Sequence, residues 1–321
     1  MVNNSGLIMG NAERLKTIDV IIPAYNAEKF IERTLQSVVS QTYPPEKIII
    51  VNDGSTDKTV EIVEEFIKKE SIPIVLVSQI NKGPNCARNA GLTHSDSEFV
   101  AFVDADDFWE KKKLEFQIEL FSKTDNEKLG VIYSEYLLVN ELGKEIKKKI
   151  GFPFIRGNVF DSLLRGNVII GSCSSVLVRR ECFDQAGLFD ESLSGSEDWD
   201  MWLRISKEYD FDFSEGSVVF ITDRDKSNNK DYESMIVNRI RFLNKWIDEI
   251  KKNRELITLH RNKLIMLSIR CKMKNCSFNI TENIEKNSSD AVKKEFFGNK
   301  KFRVVKFILP AIFNYFIERF F

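Results

Sequence analysis

Continuous apolar runs alternate with segments of helical spacing along the first hundred residues. Four short runs bounded by turn residues predict buried strands, at 18–22, 47–52, 72–78 and 98–103. The segments between them predict helices at 55–69 and 86–93, and an earlier helix capped by Asn26 whose apolar face holds Phe30, Ile31, Leu35, Val38 and Val39. Strands that alternate with helices over short connections indicate βαβ units. We therefore expect an α/β fold with a mainly parallel, doubly wound sheet.

The pattern after residue 110 is less regular. It predicts helices at 111–122 and 199–206, strands at 131–139 and 174–178, and a polar hairpin or loop at 143–149. From about residue 231 to 270 the spacing is helical again, with one apolar stripe formed by Ile236, Ile240, Leu243 and Ile247. Residues 277–300 are rich in Asn, Ser, Lys and Glu, which predicts a connector or a partly disordered segment.

Composition narrows the class of protein. The 321 residues are 43% hydrophobic and 30% charged, with 15 Gly and 7 Pro, which excludes collagen-like, low-complexity and wholly disordered chains. No apolar run reaches the ~18 residues of a membrane span, and the polar N-terminus lacks a signal-peptide core. The cysteines form no CxxC pair, so we expect reduced thiols in a cytoplasmic protein; they are Cys86, Cys173, Cys182, Cys271 and Cys276.

Charge and histidine content change the picture further. The net charge of −1 conceals −12 over residues 1–223 and +11 over residues 224–321, which indicates two parts with different partners or a solvated basic helix face. Only His94 and His260 are present, so a histidine-rich metal site or a histidine-based triad is not expected. Acid–base or metal chemistry should therefore fall to carboxylates.

Carboxylates follow predicted strands at the sheet edge where doubly wound folds bind ligands. Asp104, Asp106 and Asp107 follow the fourth strand in AFVDADDFW. Three carboxylates so close together repel one another unless a cation compensates them, and oxygen ligands suit Mg²⁺ or Mn²⁺ bridging substrate phosphates. The alternative is an acidic loop in which Asp107 caps the next helix.

Three further motifs carry candidate chemistry. Asp53, in VNDGS, can accept hydrogen bonds from a base or ribose, or serve only in an Asp-Gly turn. Lys82 and Arg88, in NKGPNCARNAG, can hold a pyrophosphate or be structural, and neither a GxGxxG nor a Walker sequence occurs. Glu197 and Asp198 open a helix in GSEDWDMWLR, where the helix dipole favours acids and one of them can be a general base.

In this order, these segments resemble the family 2 glycosyltransferases of the GT-A fold. The matching stretches lie within residues 18–206 and are VIIPAYNAEKFIERTLQSVVSQTYP, IIIVNDGSTDKT, NKGPNCARNAGL, FVDADDFW and GSEDWDMWLR. SSVLVRRECFDQAGLFDE also looks like the acceptor half of members that build bacterial surface polysaccharides. The resemblance implies a GT-A domain at 17–223, Rossmann-like, with a mostly parallel central sheet flanked by helices. Around it we expect an N-terminal extension (1–16), a helical C-terminal extension (224–276) and a basic and apolar tail (277–321).

The resemblance also implies roles for single residues on the donor side. Pro23 and Tyr25 would border the nucleotide base, and Asp53 would hydrogen-bond the uracil or its ribose. Arg88, with Lys82 nearby, would lie along the nucleotide.

The remaining implied roles concern metal and catalysis. Asp104 and Asp106 would form a DxD pair, with Asp104 toward the ribose and Asp106 on a divalent metal, Mg²⁺ or Mn²⁺. Asp198 would be the catalytic base, supported by Glu197. The implied reaction is an inverting, metal-dependent transfer of a sugar from a nucleotide sugar, most simply UDP-linked, to a hydroxyl of a glycan or polyprenol-linked saccharide, with a β-linkage as the product. No nucleic acid partner is expected.

Two other functions stay open at this point. One is a nucleotidyltransferase that makes sugar nucleotides, although PAYNAEKF after the first strand lacks the Gly- and Arg-rich loop of that class. The other is an inactive glycan-binding module, which the presence of both Asp106 and Asp198 disfavours.

The tail predicts contact with a membrane surface. Six basic residues of 293–306 face a single acid, Glu295, and an aromatic block broken by Pro310 follows. Such a segment, 293–321, suits the interface of an anionic leaflet, where each Lys or Arg contributes about 1 kcal/mol. We therefore expect a cytoplasmic enzyme peripheral to the inner face of the membrane. The alternative is a C-terminal helix that packs on the catalytic domain or on a partner subunit.

Overall fold

A computed structural model describes residues 16–147, 154–169, 171–224, 232–273 and 280–297. Its strands form one sheet; they are β1 (Ile18–Ala24), β2 (Lys47–Asn52), β3 (Ile74–Ser78), β4 (Phe99–Phe102), β5 (Phe108–Trp109), β6 (Leu129–Val139), β7 (Glu145–Lys147), β8 (Leu177–Arg179) and β9 (Asp210–Thr222). The spatial order is β3-β2-β1-β4-β8-β6-β9-β5, and β7 pairs with the C-terminal end of β6.

The first four strands form the parallel half of the sheet. β1 lies between β2 and β4, and β3 adds to the far edge of β2, all in parallel register. Alternate residues point into two cores on opposite sides, so that Val20 and Ile22 belong to one core and Ile21 to the other. Burial on both faces explains why β1, β2 and β4 are continuous apolar runs. β3 was also predicted to be buried, but it lies at the edge of the sheet and its residues are partly buried or exposed.

The second half of the sheet is mixed. β8 pairs antiparallel with β4 and β6, β9 pairs parallel with β6, and β5 pairs antiparallel with β9. The expected parallel sheet is therefore confirmed for the first four strands, while half of the pairings in the whole sheet are antiparallel. β9 was not predicted, although Phe211 and Phe213 are buried with period-two alternation.

Helices cover both faces of the sheet. Those of the first two hundred residues are α1 (Ile31–Val39), α2 (Thr59–Ile67), α3 (Pro84–Thr93), α4 (Lys113–Lys123), α5 (Phe160–Arg165), α6 (Glu181–Ala186) and α7 (Glu197–Ile205). α1 and α2 pack on one core, and α3 and α7 on the other. Trp202 of α7 is fully buried, as expected of a core residue.

The expected helical C-terminal extension is present. It comprises α8 (Tyr232–Ile250), α9 (Arg254–Met273), α10 (Ile280–Asn287) and α11 (Asp290–Val292), followed by a π-helical turn at Lys293–Phe297. Ile236, Ile240 and Leu243 of α8 share the core of α3 and α7, so the helices are part of the same body. The polar segment predicted as a connector or partly disordered is helical over 280–297, because Ile284 and Val292 are buried against this core.

Two local predictions are wrong. Asn26 does not cap α1, which begins at Ile31; it adopts φ +47°, and its Oδ1 accepts a hydrogen bond from the Thr56 backbone N–H at 2.8 Å. Asn26 thus joins the loops after β1 and β2. Likewise Asp107 does not cap α4, whose first residue is Lys113.

The ends of the chain are described only in part. Phe296 and Phe297 are buried in the core, so the start of the predicted membrane-binding segment packs on the protein, as the alternative expected. Residues 298–321 and Cys276 lie outside the described residues, as do residues 1–15 of the expected N-terminal extension. Within the described part of the chain, no helix is both long and apolar enough to cross a membrane.

Candidate active site

Asp53 lies directly after β2, at the carboxyl edge of the parallel strands, and is 3% exposed. Its Oδ1 accepts hydrogen bonds from Gln79 Nε2 at 2.7 Å and from the Lys82 backbone N–H at 2.9 Å. Its Oδ2 accepts from the Gly83 N–H at 2.8 Å, where the backbone has φ +93°. Asp53 therefore shapes the loop before α3, and these bonds leave one lone pair of Oδ2 unused.

The other residues predicted to border a nucleotide lie at the same edge. Pro23 is the second-last residue of β1 and is partly buried. Tyr25 directly follows the strand, and its side chain is 49% exposed. Lys82 is exposed in the loop that Asp53 holds. The structure thus leaves an aromatic ring and a cation accessible beside Asp53, and their contacts with a nucleotide stay a prediction.

Arg88 connects the predicted DxD motif with the acidic pair of α7. Its Nη2 lies 2.7 Å from Asp104 Oδ1, and its Nη1 lies 3.6 Å from Glu197 Oε1. Burial alone would lower the pKa of this guanidinium, but the charges of Asp104 and Glu197 raise it. Arg88 is therefore a permanent cation that joins the acidic loop after β4 to the first turn of α7.

Asp104 and Asp106 lie at the start of the loop after β4. Ser172 Oγ donates to Asp104 Oδ2 at 3.3 Å, and Arg224 forms an ion pair with Asp106 Oδ2. Burial raises the pKa of Asp106; the Arg224 charge opposes this shift, and the Asp104 charge adds to it. The backbone of Asp106 is fixed as well, since its carbonyl oxygen accepts from Arg33 Nη2 at 3.0 Å.

Asp107 is a structural residue of the same loop. Its buried carboxylate accepts hydrogen bonds from Ser174 Oγ at 2.6 Å and from the Thr222 backbone N–H at 3.0 Å. Burial, together with the charges of Asp106 and Asp104, raises its pKa well above the usual range. Asp107 therefore ties the acidic loop to the end of β9, and Thr222 completes the tie because its Oγ1 donates to the Asp106 carbonyl oxygen at 2.5 Å.

Glu197 and Asp198 form the first turn of α7. Asp198 Oδ2 accepts from Asn167 Nδ2 at 3.1 Å, and Oδ1 accepts from the Trp199 backbone N–H at 2.7 Å. Burial, and then the charge of Glu197, raises the pKa of Asp198 to about 6. Glu197 is anchored to Arg88 through Oε1, while its buried Oε2 has no hydrogen-bond partner among the described residues.

The acidic pair opens into a cavity of about 960 Å³. Asp104, Arg88 and the first residues of α7 line it, together with residues of α8 and α9. A carboxylate that titrates near neutrality in a cavity large enough for a saccharide is suited to general-base catalysis.

The site fits a divalent cation only in combination with a phosphorylated ligand. In the ranges that the structure describes, no cluster of three or more His, Cys, Asp or Glu residues is arranged to hold a metal ion. Asp104 and Asp106 nevertheless supply one or two carboxylates, which suffice for Mg²⁺ or Mn²⁺ when phosphate oxygens complete the coordination shell. Arg224 would then leave Asp106 Oδ2 or share it with the ion.

The match to a family model decides which proteins this one is related to. The model of glycosyl transferase family 2 matches residues 19–187, more than half of the chain, and spans Asp53, Arg88, Asp104 and Asp106. The chain belongs to this family. Membership favours a glycosyltransferase over the sugar-nucleotide nucleotidyltransferase considered above.

Several glycosyltransferases are similar in sequence to this chain, and the matches span different fractions of those proteins. A Bacillus subtilis glycosyltransferase assigned to teichuronic acid biosynthesis, TuaG, is 34% identical over 191 residues, which are 60% of this chain and 72% of TuaG. The Escherichia coli enzyme WfgD is a UDP-Glc:alpha-D-GlcNAc-diphosphoundecaprenol beta-1,3-glucosyltransferase. It is 32% identical to this chain, and the match covers 70% of WfgD. A Rickettsia conorii glycosyltransferase is 31% identical, but the chain spans only 33% of its length.

Solved structures confirm the GT-A type of fold. Staphylococcus aureus TarS superposes with a TM-score of 0.56 at 21% identity, over 93% of this chain and 53% of TarS. A mannosyltransferase from Pyrobaculum calidifontis, solved with GDP-Man and Mn²⁺, superposes with a TM-score of 0.57 at 17% identity, over 92% of this chain and 84% of its own.

Four residues of the site escaped the sequence analysis. Ser172, Asn167, Arg33 and Arg224 contact Asp104, Asp198, Asp106 or their backbone from segments distant in sequence. Ser172 has φ +52°, which sequence does not signal for a serine. For Arg224 a signal existed, because the alternation in FDFSEGSVVFIT predicts a strand that ends beside it.

Proposed function

We propose that the protein is an inverting glycosyltransferase that moves a sugar from a UDP-linked donor to a hydroxyl of a lipid-linked saccharide during surface polysaccharide assembly. The observation that carries the proposal is Asp198, a carboxylate with a pKa of about 6 at the edge of a cavity that also exposes Arg88 and Asp104. The proposed general base Asp198, the cation Arg88 and the proposed donor-side carboxylate Asp104 then line the same cavity.

The proposed chemistry is a single displacement. Asp198 removes the proton of an acceptor hydroxyl as that oxygen attacks the anomeric carbon, and the bond between this carbon and the nucleoside diphosphate breaks. Attack from the opposite face inverts the configuration, so an α-linked nucleotide sugar yields a β-glycoside. Asn167 orients Asp198 through its hydrogen bond to Oδ2.

The leaving diphosphate needs positive charge on the donor side. Arg88 is the permanent cation there, and Lys82 is exposed close by. A divalent cation held by Asp106, with Asp104 nearby, would stabilise the charge that develops on the diphosphate. The Mn²⁺ of the Pyrobaculum mannosyltransferase complex supports this assignment.

The proposed donor, acceptor and cellular location are based on the names of the similar proteins. WfgD is named for UDP-Glc and for an acceptor attached to diphosphoundecaprenol, and TuaG for the synthesis of teichuronic acid. An acceptor of that kind lies in a membrane, so we place the enzyme in the cytoplasm as a peripheral protein of the inner membrane face. Residues 298–321, outside the described residues, are the proposed contact with anionic lipid.

The decisive experiment is a donor panel. The full-length protein is incubated with UDP- and GDP-sugars in Mn²⁺, with and without a synthetic GlcNAc-diphospholipid, and nucleotide release is measured by chromatography. We expect release from one UDP-sugar, stimulation by the acceptor, and a β-linked product by NMR. An α-linked product, or no nucleotide release from any donor, would contradict the proposal. Sedimentation with anionic and neutral liposomes at low and high salt tests the location.

A further inference from the structure

The cavity has a second, basic side that the proposed reaction does not yet use. Arg239 of α8 and Lys263 of α9 line it, and Arg270 lies on the same face of α9, seven residues beyond Lys263 and more exposed. All three follow residue 187, the last position matched by the family model. They are therefore a feature of this chain's C-terminal helices. We call these three residues the basic wall.

Arg239 is a partly buried cation that forms no ion pair with any carboxylate in the described ranges. Its guanidinium lies 4.8 Å from the centre of the Trp199 ring, and its buried Nε has no hydrogen-bond partner among the described residues. Burial lowers its pKa to about 10. An unpaired buried charge is unfavourable, so this position is suited to an anion that arrives with a ligand.

Lys263 repeats the pattern. Its Nζ donates to the Arg165 carbonyl oxygen at 2.6 Å, and none of the described carboxylates forms an ion pair with it. Burial, and then the charge of Arg239, lowers its pKa to about 8. The two cations are thus close enough to repel each other.

Lys245, also on α8, is a lysine of the same helix that is paired with carboxylates. Its Nζ lies 2.6 Å from Asp190 Oδ2 and 2.9 Å from Asp200 Oδ2. Arg88 is likewise paired with Asp104. The lack of such carboxylates beside Arg239 and Lys263 therefore distinguishes the basic wall from the other partly buried cations of the cavity region.

We propose that the basic wall binds a phosphate or diphosphate group of the acceptor while the donor's diphosphate occupies the side of Arg88 and Asp104. The proposal rests on the proposed function, because it assigns an acceptor to the cavity of Asp198. Guanidinium and ammonium groups that converge on one space favour phosphate oxygens, which accept several charge-assisted hydrogen bonds. An acceptor held there presents its sugar to the acidic pair, since both groups line the same cavity.

The direct test is a calorimetric titration of the full-length protein with inorganic pyrophosphate in the presence of saturating UDP. UDP blocks the donor side, so the remaining binding reports on the basic wall. We expect wild type to bind pyrophosphate, and Arg239→Gln and Lys263→Gln each to weaken binding by about 10-fold to 100-fold. Lys252→Gln removes the same charge from the exposed turn after α8 and should bind like wild type. Equal affinities in all four proteins would overturn the proposal.

Two additional measurements separate the possible failures. Thermal unfolding identifies a variant that has lost its fold, in which case Lys263→Arg, which keeps the charge, must restore pyrophosphate binding. If UDP does not bind, the proposed function fails; the pyrophosphate titration without UDP still tests the wall, and loss of binding in Arg239→Gln and Lys263→Gln supports it.

The source of the phosphate is resolved by comparing two ligands. Farnesyl diphosphate represents a lipid-linked acceptor, and a glycerol phosphate oligomer represents a phosphodiester polymer. Binding of either that depends on Arg239 and Lys263 supports the basic wall, and the tighter ligand identifies the acceptor class. In steady-state kinetics the same variants should raise the acceptor KM and leave the donor KM within about twofold. A raised donor KM with an unchanged acceptor KM would overturn the assignment to the acceptor.

Discussion

The cations on the two sides of the cavity differ in whether they are paired with carboxylates. On the sheet side Arg88 lies between Asp104 and Glu197, and behind the cavity lining Arg224 is paired with Asp106. On the helix side Arg239 and Lys263 form no ion pair with a described carboxylate. A ligand on the sheet side must therefore exchange existing ion pairs for new ones, whereas an anion on the helix side breaks none. We therefore expect the proposed donor and metal to exchange partners with the ion pairs of the sheet side, and the proposed acceptor phosphate to pair with Arg239 and Lys263.

The largest effect should follow from removing the proposed base. Asp198→Asn keeps the shape but cannot take a proton, and its single amide oxygen can accept only one of the hydrogen bonds that Trp199 and Asn167 donate to Asp198. Turnover should fall by on the order of 10²–10⁴, with donor affinity nearly unchanged, in an assay of nucleotide release with acceptor present. Asp184→Asn, an exposed acid of α6, serves as the control. If Glu197→Gln shows the large loss and Asp198→Asn stays active, the other acid is the base.

The next effect concerns the ion pair at Asp106. Asp106→Ala leaves Arg224 unpaired and removes the proposed metal ligand, so turnover should fall on the order of 10² while the circular dichroism spectrum is unchanged. EDTA should reproduce the loss in wild type, and added Mn²⁺ should reverse it. Asp125→Ala, in an exposed loop, is the matched control. Full activity of wild type in excess chelator would show that the sheet side works without a metal.

A smaller effect is expected from the donor loop. Asp53→Asn replaces one acceptor oxygen by a donor amide, which then faces a backbone N–H of Lys82 or Gly83. Charge-assisted hydrogen bonds contribute about 1.5–3 kcal/mol each, so the donor KM should rise about 10-fold to 100-fold and kcat should change less. An unchanged Kd for UDP by calorimetry would mean that the loop does not shape the donor site.

The smallest effect is a pH dependence. Asp198 acts when deprotonated and has a pKa raised to about 6, so kcat/KM should fall as the pH drops through 6 and be about tenfold below its plateau at pH 5. Glu197 and burial hold this pKa up, whereas the Trp199 N–H, Arg88 and Asn167 hold it down. The residual activity of Asp198→Asn should lack this inflection. A wild-type profile that is flat between pH 5 and 7 would contradict the assignment.

The features of the fold and of the site that could be predicted from the sequence are those formed by residues close to one another along the chain. The apolar runs of β1, β2 and β4 directly specify buried parallel strands, and the turns after them place Asp53 and Asp104 at one edge. The contacts of Arg224 with Asp106 and of Asn167 with Asp198 join segments that are distant along the chain. The alternation before Arg224 predicts the strand but not its partner in the sheet, and no local pattern predicts the contact of Asn167. The basic wall was visible only as a charge bias, because its position depends on how α8 and α9 pack on the core.

The tie between Asp107 and Thr222 has a consequence for the order in which the protein is made. The acidic loop is synthesised more than a hundred residues before the strand that fixes it, since the Thr222 N–H supplies the bond to Asp107 and β9 supplies the partner of β5. The parallel strands can assemble as soon as β4 leaves the ribosome, but the loop with Asp104 and Asp106 reaches its final shape only after residue 222 has emerged. We therefore expect the geometry of the proposed donor site to form late in folding, when the strand that leads into the C-terminal helices docks.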